Sequence, residues 1–203
     1  MSGLAPAPGW HQHATRLPPP PPAARGLLFR GMSLAARRFG RAQVPDIFAV
    51  LHRNPRLFWP WLLFASRLMP GGRLPAQERE MIILRTAWNC RSRYEWGQHV
   101  DIALRVGVSD AQIVAVSRGP AAFDDPRLRA LMQACDELAT ASVVGDATWQ
   151  ALAAYYDERL LIEIVILIGH YVMIAGFLNS GGLTLEPPVE RVLEEFHQRI
   201  GLD

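Results

Sequence analysis

Residues 80–99, EMIILRTAWNCRSRYEWGQH, decide the fold of this chain. From Glu80 to Trp88 the stretch is apolar nearly all round, the pattern of a helix enclosed by its neighbours. Cys90-Arg-Ser-Arg93 is a short basic break. Glu95 and His99 follow four residues apart, on one face of a second helix. The whole reads as a helical hairpin. A carboxylate one turn from an imidazole can fix its tautomer and share its proton, a requirement of acid–base chemistry. The same spacing also fits an ordinary solvated surface pair, so the setting has to separate the two.

Working outward, Met69-Pro-Gly-Gly-Arg73 is a turn, and Pro75 opens the first hairpin helix with Glu78 and Glu80 near its positive end. Gly107 is placed to end the second helix. Ser109 and Gln112 form a capping box for a short helix to Ser117. Upstream, Arg25–Phe39 has apolar residues on one helical face, and Pro45 starts a short helix to Leu51. Asn54-Pro55 is a start signal for PRLFWPWLLFASRLM, whose internal Pro60 is expected to kink the helix or reset its start. Downstream, Asp125-Pro126 opens a helix to Ala141, with Cys135 as a small buried hydrophobe on its apolar face. Asp146 caps another helix, ATWQALAAYY. A long apolar helix runs from Glu158 to the Asn179-Ser-Gly-Gly182 end, and residues 187–200 form a terminal helix. No stretch alternates with period two and no Asn-Gly or Asp-Gly hairpin turn occurs, so the fold class is all-α. EREMIIL at 78–84 echoes ERLLIEIVIL at 158–167, with Glu80 matched to Glu163, and Glu163 and His170 lie two turns apart on one face.

Composition bounds what the chain does. It has 203 residues, half of them hydrophobic, enough for one sizeable core over 26–203. Residues 1–25, with Pro18 to Pro22 in a row, read as a flexible proline-rich arm. His11 and His13 have no further ligand nearby, so no metal site is expected. A net charge of +2 argues against nucleic acid as a partner. All 21 basic residues are arginine, which suits the binding of carboxylates. Two cysteines and no apolar leader fit a reducing, cytoplasmic setting. Leu160–Leu178 has the length of a membrane span but contains Glu163 and His170, so a buried helix is expected and no membrane partner.

Three segments, PGGRLPAQEREMIILRTAW, YEWGQHVDIALRVGVSD and DATWQALAAYYDERLLIEIVILIGHY with its LNSGG end, resemble the carboxymuconolactone decarboxylase and alkylhydroperoxidase D (AhpD) superfamily. The resemblance covers about Val44 to Leu185. It implies an AhpD-like helical fold around a central hairpin and a homo-oligomer: trimer, hexamer or dimer. The family's redox branch has Glu, then Cys-x-x-Cys, then His four residues on; here those positions hold Glu80, Ser92, Glu95 and His99. A hydroxyl and a carboxylate cannot form and resolve a sulfenate, so peroxidase chemistry is not expected. The decarboxylase branch, which works by acid–base chemistry without a cofactor, fits what remains. The implied roles are proton transfer for His99, orientation of His99 for Glu95, and a relay carboxylate in Glu80. Arg85, Arg91 and Arg93 are the candidate substrate anchors, and Ser92 a hydrogen-bond donor where the second helix starts. The expected function is therefore a cofactor-free lyase, a decarboxylase, or isomerase acting on a small carboxylated or lactone substrate. The alternatives are a non-catalytic helical oligomer with a binding or assembly role, and a thiol reductase working through Cys90.

Overall fold

The structure, a computed structural model, describes residues 4–26, 29, 31 and 44–202. Among these residues all regular structure is helical: α1 (Asp46–Leu51), α2 (Pro55–Leu68), α3 (Ala76–Asn89), α4 (Arg93–Arg105), α5 (Asp110–Arg118), α6 (Pro126–Ala141), α7 (Asp146–Ala153), α8 (Glu158–Gly181) and α9 (Pro187–Arg199). The helix expected over Arg25–Phe39 falls mostly outside the described residues. Most expected starts and stops fall within a residue or two of those observed; the exception is α7, where Asp146 is the first helical residue after a Gly145 N-cap and the helix ends at Ala153, short of Tyr156. Local chemistry sets many of them. Asp125 caps α6 by accepting from the Arg127 N–H, Asp157 caps α8 by accepting from the Leu160 N–H, and the Ser109–Gln112 capping box is made in both directions. Pro60 neither breaks nor resets α2, which runs through it.

Helix α3 is the centre. It packs against α4, α5, α6 and α8, so each side of it meets another helix and Met81, Ile82, Ile83, Leu84 and Ala87 are all buried. That explains why its sequence is apolar all round and not along one stripe. Helix α9 packs on α4, and α7 on α6. Contact between α4 and the segment before α9 is close: a side chain at Gly97 would run into Leu185.

Helix α8 is long and apolar enough, by length and composition, to cross a membrane. Leu161, Ile164, Leu167, Ile168 and Tyr171 face the core, while Ile162, Ile166 and Met173 are exposed. Glu163 does not share a site with His170. Its carboxylate accepts the backbone N–H groups of Arg73 (2.8 Å) and Leu74 (2.9 Å), pinning the turn that leads into α3. His170 instead lies against Trp61 and Phe64 of α2.

Residues 4–26, expected as an arm, lie along the helical body. The Trp10 ring meets Trp88 edge-on at 5.4 Å and Trp96 at 5.8 Å. The His11 N–H donates to the Arg91 carbonyl, and the Arg16 and Leu17 N–H groups donate to the Gly181 carbonyl. The arm therefore follows the hairpin turn and the end of α8.

Candidate active site

The hairpin turn sets the site. Arg91 takes a left-handed backbone, φ +50°, and the Ser92 N–H closes back on the Ala87 carbonyl at 2.9 Å. This reversal brings the start of α4 beside α3. Ser92, Glu95 and His99 then fall at i, i+3 and i+7 of one face of α4, opposite Glu80 on α3.

Glu80 is fully buried and holds two partners, one on each oxygen. Its Oε2 lies 2.7 Å from His99 Nδ1, and its Oε1 accepts from Arg79 Nε at 3.0 Å. A carboxylate can only accept here, so the His99 proton sits on Nδ1 and leaves Nε2 as the basic nitrogen. Arg79 supplies the counter-charge that a buried carboxylate needs. The role expected of Glu95 thus belongs to Glu80: it is the α3 carboxylate, not the one a turn away on α4, that orients His99. Spacing along one helix cannot show this, because the bond crosses the hairpin.

Glu95 is in another state. It is 2% exposed and neither carboxyl oxygen has a hydrogen-bond partner among the described residues. Burial pushes its carboxyl well above the usual carboxylate range, which favours the neutral acid, a proton donor. The Ser92 hydroxyl is likewise buried and unpartnered, although Ser92 stands at the N-cap of α4 where such hydroxyls ordinarily cap. The Tyr171 ring stands edge-on to His99 at 5.1 Å. Its phenol is raised well above the ordinary range by burial and then by the charges of Glu80 and Glu95, with Arg79 opposing. One buried cluster thus joins α3, α4 and α8.

The three arginines expected to anchor substrate are committed elsewhere. Arg85 donates to both carboxylate oxygens of Asp136, at 2.6 and 2.8 Å, and to the Val116 carbonyl at 3.0 Å. Arg93 forms a two-bond pair with Glu190 across to α9. Arg91 meets the His11 ring at 2.9 Å. The arginine that does reach the cluster, Arg79, was missed, although its position held a signal: an arginine beside a glutamate on a helix enclosed on all sides has to be paired.

Cys90 is half-buried, and burial together with the Glu95 charge pushes its thiol up to about 11. Cys135 is fully buried, with its thiol pushed up to about 12 by burial. Neither is poised as a thiolate nucleophile. Among the described residues no group of three or more His, Cys, Asp or Glu side chains could hold a metal ion.

Fold and site together define an all-helical hairpin protein with a buried proton-handling cluster in place of paired thiols. Residues 55–137, from α2 into α6, match the family model of the carboxymuconolactone decarboxylase family. The AhpD-like fold recurs in a crystal structure described as an alkylhydroperoxidase AhpD core, an uncharacterized peroxidase-related protein from Ralstonia eutropha JMP134. It is 23% identical, with 87% of this chain and 95% of that chain covered at a TM-score of 0.75. A peroxidase-related protein from Silicibacter sp. TM1040 is 15% identical, with 85% and 91% covered at a TM-score of 0.74. A Cys-to-Ala variant of the debrominase Bmp8 in complex with 2,3,4-tribromopyrrole is 19% identical, with 91% and 99% covered and the same TM-score of 0.74. At these identities the likeness is one of fold. No curated protein matches the sequence significantly.

Proposed function

We propose that this protein is a cofactor-free acid–base catalyst, a lyase or isomerase acting on a small carboxylated or lactone substrate. The observation that carries this reading is the Glu80–His99 hydrogen bond inside a buried cluster that also holds the unpartnered Glu95 carboxyl. The imidazole held by Glu80 and a carboxyl that burial favours in its acid form sit on one helix face, an arrangement suited to proton transfer to and from a substrate carbon. In an isomerisation, His99 Nε2 takes a proton from carbon and the Glu95 carboxyl gives one to the other end of the enolate. The enzyme's proton count is unchanged, and only its distribution has to be reset. In a decarboxylation, the C–C bond electrons pass into the conjugated carbonyl as carbon dioxide leaves, and Glu95 or protonated His99 returns a proton to that carbon.

A panel of lactones and β-keto or unsaturated acids, read by carbon dioxide release and by proton exchange into deuterated water, tests the proposal. His99→Ala and Glu95→Gln should each abolish turnover with the helical circular-dichroism signal intact. Wild-type turnover in both variants would sink the mechanism. A thiol reaction through Cys90, suggested by the peroxidase-related neighbours, is disfavoured by the raised thiol and the missing partner cysteine. Assembly into a homo-oligomer is favoured by the apolar side chains exposed on α2 and α8, among them Leu57, Leu63, Ile162 and Met173.

A further inference from the structure

Helix α8 is exposed along one narrow stripe. Between Leu160 and Gly181 the exposed positions are Ile162, Ile166, Gly169, Met173, Gly176 and Ser180, and no others. Their spacing alternates four and three residues throughout, the repeat of a seam along which a second helix lies. The seam runs about 27 Å at 1.5 Å per residue. Leu161, Ile164, Leu167, Ile168 and Tyr171 carry the rest of the helix into the core, and Glu163 is bound to the backbone of Arg73 and Leu74. The outer stripe of such a helix is ordinarily polar. Ser180 is the only polar side chain on this one, while Ile162, Ile166 and Met173 are 63%, 43% and 54% exposed.

The order of large and small residues along the stripe says what fits it. Ile162, Ile166 and Met173 project, whereas Gly169 and Gly176 have no atom within 4 Å of where a side chain would begin. A second α8 laid antiparallel, with the two-fold axis at the level of residue 171, matches this order throughout. Ile162 then faces the partner's Ser180, Ile166 faces the partner's Gly176, and Met173 faces the partner's Gly169. Every bulky side chain meets a hollow, and by symmetry each contact is made twice. A parallel in-register pair would set glycine on glycine at two levels between crowded layers of Ile and Met, and such gaps forfeit packing. The antiparallel register also brings Glu158, exposed at the start of α8, to the end of the partner helix, where Arg16 is bonded to the Ser180 carbonyl. Helix α8 has the length and composition of a membrane span, but lipid tails make no demand for a four–three order of knobs and hollows, and a helix does.

We propose that α8 is a dimerisation helix, through which the protein pairs with a second copy of itself in an antiparallel, two-fold seam with Ile166 seated against the partner's Gly176. This gives the assembly proposed above its surface and its partner, and it stands apart from the acid–base reading. Tyr171, edge-on to His99, lies on the core side of the same helix, so the two buried clusters of the dimer sit on opposite sides of one helix pair.

Sedimentation of the full-length protein over a dilution series should show a dimer. Gly169→Arg meets open space in a single chain and raises helix propensity. It should therefore keep the circular-dichroism signal while raising the dimer dissociation constant at least about thirtyfold. Disulfide trapping in a Cys90→Ser background reads the register. Ile166→Cys and Gly176→Cys proteins should cross-link to each other when mixed. Neither should cross-link to itself, because like positions lie about 15 Å apart along the seam and a disulfide spans at most about 7 Å between Cα atoms. Self-cross-linking of each, with none between them, means a parallel pair and overturns the proposal. A dimer left intact by Gly169→Arg overturns it too, while retaining assembly through another face such as that of α2. A wild-type monomer overturns both, and a monomer that floats with phosphatidylcholine vesicles assigns the stripe to a membrane instead. Turnover enters none of these readouts, so the acid–base reading stands or fails separately.

Discussion

Replacing Glu80 by glutamine isolates the interaction on which both fold and site depend. The substitution keeps shape and keeps one oxygen to accept from His99, but it removes the counter-charge of Arg79, whose Nε lies 3.0 Å from Glu80 Oε1 with both groups buried. Removing one partner of a buried ion pair leaves an uncompensated charge and costs about 3–5 kcal/mol. For a chain of this size that converts to a melting temperature lower by about 6–20 °C. Urea denaturation followed by circular dichroism measures the loss directly, and the Arg79→Gln/Glu80→Gln double variant supplies the control. With both charges gone there is no stranded guanidinium, so the double variant should be at least about 1 kcal/mol more stable than Glu80→Gln alone. A Glu80→Gln loss below about 1 kcal/mol would refute the reasoning, which rests on the cost of an unpaired buried charge. So would a double variant as unstable as the sum of the two single ones.

Other outcomes follow from the same geometry. Because folding raises the Glu95 carboxyl above its ordinary value of 4.5, the native state binds more protons than the unfolded one above that pH, and stability falls as pH rises through the window between the two values. Glu95→Gln should therefore match wild type in acid and exceed it increasingly above that pH; denaturation curves across pH 3–9 show it, and a constant offset would contradict it. Cys90 alkylation by iodoacetamide should rise about tenfold per pH unit towards pH 11, where its thiol titrates; rapid reaction at pH 7 would contradict the raised thiol. Gly97→Ala should destabilise by about 1–3 kcal/mol through overpacking against Leu185, while Arg91→Gly should be tolerated or stabilising because it relieves the left-handed φ of +50°. Trp10→Ala should destabilise by about 1–2 kcal/mol through loss of the contacts with Trp88 and Trp96, and an unchanged melting temperature would mean that the arm does not hold to the hairpin.

Helix positions were legible in the chain because their signals are local. Asp125-Pro126, Asp157 and the Ser109–Gln112 box act within one turn of the backbone they cap, and the all-round apolar character of α3 announces a helix with neighbours on every side. Pro60 acts just as locally: its clash and missing donor are penalties within one turn, and α2 runs through them without its start being reset.

The hairpin around residues 80–99 shows where local signals end. Sequence alone placed Glu80, Glu95 and His99 in one stretch and put Glu95 and His99 on one face, since helical periodicity dictates that much. It could not decide which carboxylate holds the imidazole, because the answer depends on how α3 and α4 cross, and the distance from Glu80 to His99 Nδ1 is a product of that crossing. Nor could it tell a free arginine from a committed one. Arg85, Arg91 and Arg93 look available along the chain, yet they find Asp136, His11 and Glu190 at separations of 51, 80 and 97 residues. Arg79, which pairs with Glu80 inside the core, was set apart by burial. Local backbone preference and periodicity determined the helices; only the tertiary packing decided which charges were paired, which were stranded, and so where the chemistry sits.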